Sequence, residues 1–115
     1  MRSKANIHQE LAALEEFWSQ KTLGQANGTL IKVAKGVGEV SWHRHDDQDE
    51  VFIVYKGHLT IRLREGDIEL GPGEMFVIPK GVEHAPKADE PVEFMILGLG
   101  VTSTPEGGKP EWSYR

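Results

Sequence analysis

Apolar residues Ile7, Leu11, Leu14 and Trp18 recur at spacings of four, three and four, which places them on one face of a helix. Asn6 followed by Gln9 forms an N-capping pattern. The spacing predicts one amphipathic helix over 6–18, laid as a cover on a core. From residue 20 the period changes to that of strands. Lys21 to Ala26 has weak strand character and Thr29 to Lys35 much more; between them Asn27-Gly28 suits a type I′ hairpin turn. Gly36-Val37-Gly38 reads as a turn, and with no third glycine or following helix it does not suit a dinucleotide. Glu39 to His45 alternates, with Ser41, His43 and His45 on one side and Val40, Trp42 and Arg44 on the other.

Glu50 to Tyr55 is apolar on both faces, as in a strand buried between two sheets. His58 to Arg64 alternates, sending Leu59, Ile61 and Leu63 inward. Ile68 to Leu70 and Val92 to Leu97 are further short strands between glycine and proline turns, and Met75 to Ile78 reads as a further buried strand. Phe52, Phe76 and Met95 read as core. Pro79-Lys80-Gly81 forces a bend before Val82-Glu83-His84. The pattern predicts an all-β barrel or sandwich with one N-terminal helix at its edge. Its parts are a helix at 6–18, a barrel at 20–100, and a tail at 102–115 that Trp112 and Tyr114 can pin to a surface.

Composition narrows the chemistry. A chain of 115 residues with 38% hydrophobic content fits a single domain, 1–115, with a core of its own. The absence of cysteine excludes disulfides, thiolate metal sites and cysteine nucleophiles. A net charge of −5 argues against a nucleic-acid partner. No apolar run suits a signal or a membrane span, so the expected address is the cytoplasm and the expected partner a small molecule.

The candidate chemistry lies in His43-Arg44-His45-Asp46-Asp47-Gln48-Asp49-Glu50 together with His84. Two histidines one residue apart in extended chain face the same way and can share an ion. Glu50 and His84, the latter placed by the Pro-x-Gly bend, complete a nitrogen and oxygen set suited to first-row transition metals: Fe, Mn, Ni, Cu or Zn. Such a set on an ion that prefers more ligands leaves positions open, the mark of a catalytic site rather than a structural one. Asp46, Asp47 and Asp49 read chiefly as a solvated acidic loop, and His8 and His58 as surface residues. Lys56, Arg62 and Arg64 serve either an anionic ligand or an ordinary basic outer face. No Gly-x-Ser-x-Gly, His-Glu-x-x-His or phosphate loop occurs.

His43-x-His45-x4-Glu50-x6-Gly57 resembles the first signature of the cupin superfamily, and Gly73-x5-Pro79-x-Gly81-x2-His84 the second. The resemblance implies a small single-domain protein built as a double-stranded β-helix, or jelly-roll, barrel. It carries metal ligation onto His43, His45, Glu50 and His84. Two positions depart from the signatures: Val37 stands where a glycine is expected and Ala88 where an asparagine is. Neither is a ligand position. The resemblance also implies a homodimer.

Three functions follow as expectations. The first is a metal-dependent enzyme acting on a sugar, keto acid or other oxygen-rich metabolite, with isomerase, lyase and dioxygenase chemistries all admissible. The second is a non-catalytic binding or sensing barrel. The third is a structural barrel with incidental ligands. The sequence singles out no further acid or base and does not choose among the metals.

Overall fold

The computed structural model describes residues 4–100. The expected tail at 102–115, with Trp112 and Tyr114, lies outside the described residues. The elements are α1 (Ile7–Ala12), β1 (Lys21–Ala26), β2 (Thr29–Glu39), β3 (Glu50–Lys56), β4 (Leu59–Leu63), β5 (Gly66–Leu70), β6 (Met75–Ile78) and β7 (His84–Gly98). This is the all-β barrel with one small N-terminal helix that the pattern predicts, in the jelly-roll form that the cupin resemblance implies.

β7 is the spine. Along one edge it pairs antiparallel with β2, from Leu30↔Gly98 to Glu39↔Lys87. Along the other edge its C-terminal half pairs with β3 and its N-terminal half with β4. β1 and β6 extend one run and β5 hangs on β4. One long strand thus joins all the others into a single seven-stranded sheet, which curls round the interior. Side chains that alternate inward from β2, β3, β4, β6 and β7 fill it: Ala34, Phe52, Val54, Leu59, Ile61, Ile78, Val92, Phe94 and Ile96 are all buried. Ala88, in the place of the expected asparagine, belongs to this core.

The structure corrects the sequence reading in several places. The helix stops at Ala12 instead of reaching Trp18, although Asn6 caps it as expected, accepting from the Gln9 N–H at 3.0 Å. Trp18 leaves the helical period for the barrel wall. Its N–H donates to the Lys35 carbonyl at 2.6 Å and its indole Nε1 to the Val37 carbonyl at 2.9 Å. Its ring lies 2.6 Å from where a side chain on Gly36 would begin. Packing on bare backbone outweighs nearly two more helical turns.

The expected turn at Gly36-Val37-Gly38 is instead continuous strand: β2 runs on to Glu39, and the irregularity lies opposite, where β7 passes four residues, Val92 to Ala88, against the two from Gly36 to Gly38. The expected strand through His43 and His45 reduces to one isolated bridge between His43 and His84. β6 is not buried on both faces, since Met75 and Val77 are 51% and 43% exposed. Met95 points outward, beside Ile7, Leu23 and Ile31, instead of into the core. The Asn27-Gly28 turn stands as predicted, with φ of 52° and 79°.

Candidate metal centre

His43, His45 and His84 meet at one end of the barrel, each offering a ring nitrogen within 4.8 Å of the others. Three pieces of chain bring them there. His84 opens β7 and is paired with Leu63 of β4. His43 is held to His84 by reciprocal backbone hydrogen bonds of 3.0 and 2.9 Å. His45 is fixed through its carbonyl, which accepts from Gly81 N–H at 2.8 Å. The Pro79-Lys80-Gly81 bend therefore sets His45 as well as His84.

Glu50, the first residue of β3, closes the group. Its Oε1 lies 3.4 Å from Nε2 of His45 and 3.4 Å from Nε2 of His84. Glu50 and His84 are almost wholly buried, and His45 nearly so. The structure thus brings together all four residues predicted from the sequence.

The ring orientations are set by backbone carbonyls. Nδ1 of His43 donates to the Ser41 carbonyl at 2.7 Å and Nδ1 of His84 to the Val82 carbonyl at 2.9 Å. A carbonyl only accepts, so each Nδ1 carries a proton, and in a neutral ring that tautomer leaves the lone pair on Nε2. Nε2 of His84 is buried and makes no hydrogen bond. Burial lowers the His43 pKa to about 4, helped by the neighbouring His84 and His45 and opposed by its bond to Ser41. A neutral imidazole with its outer nitrogen tied to a carbonyl is the form that ligates a metal. The donor set and the buried, unsatisfied nitrogen fit a divalent transition ion.

The loop between His45 and Glu50 does more than solvate charge. Asp46 is exposed and pairs with Arg44 at 3.1 Å, in keeping with a surface role. Asp49 Oδ1 accepts from Lys80 N–H at 2.8 Å and fastens the loop to the bend before His84. Gln48 is buried, and its Oε1 accepts from Leu99 N–H at 2.7 Å and Gly100 N–H at 3.4 Å. The loop is thereby pinned to the end of β7. Sequence reasoning missed Gln48, whose only signal is that it is the one uncharged residue among three aspartates.

It missed Lys32 too. This residue of β2 is 0% exposed, and its Nζ donates to the Gly100 carbonyl. The available signal was parity, since Lys32 shares a strand face with the core residue Ala34.

Arg62 is a structural clamp. It donates from Nε to Ala85 O at 2.9 Å and from a terminal nitrogen to Val40 O at 3.1 Å, and it pairs with Glu39 at 3.0 Å. Arg64 lies over the Trp42 ring, 3.8 Å from its centre, and pairs with Glu83. His58 and His8 are exposed, as expected.

Residues 29–98 match the family described as Cupin domain, a stretch that contains every residue of the cluster. A cupin-2 domain containing protein from Shewanella frigidimarina NCIMB 400 is 43% identical, with a TM-score of 0.79 over 81% of this chain and 91% of that one. Protein NMB1881 from Neisseria meningitidis is 28% identical, with a TM-score of 0.76 over 84% of this chain and 99% of that one. Uncharacterized protein YdbB of Bacillus subtilis (strain 168) is 32% identical over 72 residues, or 62% of this chain. The chain spans 64% of the length of that curated relative.

Proposed function

This chain belongs to the cupin-domain family, and we propose that it is a metal-dependent enzyme acting on a small oxygen-rich metabolite such as a sugar or keto acid. His43, His45, Glu50 and His84 would hold the ion. The reaction class is isomerase-, lyase- or dioxygenase-like. The observation that carries this reading is the buried His84 Nε2, which has no hydrogen bond and faces Glu50 and the His45 ring. Leaving such a nitrogen unsatisfied costs about 1–3 kcal/mol, a cost that a bound cation removes.

When bound, the ion supplies a Lewis acid with open positions for a substrate carbonyl, enol or hydroxyl oxygen, or for dioxygen if the metal is redox-active. The protein's part is preorganisation. Ser41 and Val82 carbonyls aim two of the rings, and Glu50 lowers the net charge of the loaded site. Phe52, Phe94, Ile96 and Ile78 provide a dry floor, where charge interactions are stronger than in water. Pairing of two copies through an outer sheet face belongs to the same proposal and rests on family resemblance.

The test has two stages. Elemental analysis of protein purified without added metal establishes occupancy, and mutation of His84 must abolish it. Protein loaded separately with Fe(II), Mn(II), Ni(II) and Zn(II) is then screened against sugars, keto acids and catechols, with and without oxygen. Turnover that follows one metal supports an enzyme. Tight binding of one compound with no turnover under any metal would replace the enzyme with a binding module.

A further inference from the structure

Gly98 continues the inward alternation of Phe94 and Ile96 on β7, yet it has no side chain to place in the barrel. A Cβ there would lie 2.2 Å from Gln48 Oε1. The Gln48 carboxamide therefore fills the interior position that residue 98 leaves bare. Continuing the β3–β7 register one step from Val51↔Leu97 sets Gly98 beside Glu50, so the carboxamide stands at the level of the proposed metal ligands.

Its orientation is fixed. Oε1 accepts from two backbone N–H groups, so the other terminus is the amide nitrogen. That nitrogen is buried and has no hydrogen-bond partner, in a residue 3% exposed. It is a held donor inside the barrel. Lys32 comes from the opposite edge of β7, paired with Ile96 and facing inward with Ala34. Its Nζ ends on the carbonyl of Gly100, the residue whose N–H faces Gln48. Gly100 thus meets the acceptor end of the Gln48 amide with its N–H and the Lys32 ammonium with its carbonyl.

We propose that Gln48 Nε2 and Lys32 form a carboxylate subsite inside the barrel, receiving an anionic oxygen of the molecule bound at the metal. The amide contributes a directional N–H, and the lysine contributes the charge that favours an anion over a neutral acceptor. The subsite narrows the substrate class from oxygen-rich metabolites to acids. It rests on the metal reading only for where the remainder of the molecule sits.

Zinc-loaded protein is titrated calorimetrically with pyruvate and with its neutral counterpart pyruvamide, the zinc content of every sample being measured alongside. The wild type should prefer pyruvate by at least ~10-fold, about the size of one charge-assisted hydrogen bond. Lys32→Met should bring the two compounds to near parity. Gln48→Glu keeps an acceptor for Leu99 and Gly100 N–H but replaces the donor by an acceptor, so it should lose pyruvate while melting like the wild type at neutral pH.

A purely structural Gln48 predicts instead that this variant binds pyruvate as before. If a variant fails to fold, the side-chain amide protons of Gln48 in the wild type supply the reading: their NMR signals should move with pyruvate and not with pyruvamide. Unchanged pyruvate affinity in both variants with zinc retained, or amide signals that stay still at saturation, overturns the subsite. A wild type that takes up no zinc sinks the metal reading separately; pyruvate-induced stabilisation that is lost in both variants would still uphold the subsite.

Discussion

The backbones of His43 and His84 hold each other, His43 N–H donating to His84 O at 3.0 Å and His84 N–H returning to His43 O at 2.9 Å. Residues that exchange both bonds across an antiparallel bridge present their side chains on one face, and here the ring centres are 4.3 Å apart. Two proposed ligands from distant parts of the chain are therefore positioned by main chain, before any ion arrives. Removing the ion should leave this geometry in place. Protein treated with chelator should keep its β-type far-UV circular dichroism and melt at a lower temperature, with the difference growing with free metal as mass action requires. Collapse of the spectrum on chelation would show that the ion builds the site.

Because the bridge is made by backbone, His84→Ala should remove a ligand without unfolding the barrel. Zinc affinity should fall by more than ~100-fold, beyond the range usual for losing an outer partner of a ligand. Competition with a chromophoric chelator measures it. His84→Ala with near wild-type zinc affinity would exclude the residue from the ligand set.

Acid should weaken the metal-free protein through His43. Its folded pKa, lowered to about 4 by burial, lies below the ordinary value of about 6.5 that it regains on unfolding. Between those values the unfolded chain binds more protons than the folded one, so unfolding free energy rises with pH. This contribution is fully present above about pH 6.5 and is lost as pH falls toward the folded value. His43 is only partly buried, so solvent screening softens the slope. Urea melts of chelated protein from pH 4 to 7 should show the loss, and His43→Asn should flatten it.

Arg62 should prove irreplaceable by lysine. Its fork reaches the Ala85 and Val40 carbonyls and the Glu39 carboxylate together, tying β4 and β7 to the segment that leads into His43. Lysine has one nitrogen and no fork. Arg62→Lys should destabilise by about 1–3 kcal/mol in urea denaturation, most of the effect of Arg62→Met. Equal stability of Arg62→Lys and wild type would mean that the carbonyls find other donors.

The barrel was legible because strand patterning is a periodic signal, and the His43, His45, Glu50 and His84 group because its spacings match the cupin signatures. A continuous apolar run reported β3, alternation reported β4 closely, and fixed spacings reported the four side chains. What stayed hidden depends on contacts between distant pieces. Trp18 falls on the helical period, yet it packs on Gly36, and no local pattern encodes that bare backbone. The segment before His43 alternates like a strand, but Val40 N–H to Pro86 O and the His43 bridge replace a continuous ladder. Gln48 looked like one more polar residue in a solvated loop because its partners, Leu99 and Gly100, lie about half the chain away.

Gly98 offers the sharpest test of the pinned loop. Its backbone needs no glycine on account of φ, since it is not among the positive-φ residues, so any penalty for a side chain is steric. A methyl group would begin 2.2 Å from Gln48 Oε1 and 3.3 Å from the Asp49 carbonyl. The carboxamide must then leave the Leu99 and Gly100 N–H groups or push β7 away from the ligand loop. Either response disturbs the chain between His45 and Glu50. Gly98→Ala should cost about 1–3 kcal/mol, in the range of overpacked cores, and should lower zinc affinity by about 10-fold, as loss of support behind a ligand does. Adding Gln48→Ala removes the clash, so the double variant should be more stable than the sum of the two single changes predicts. Additive losses in that cycle would show that Gly98 and Gln48 act independently.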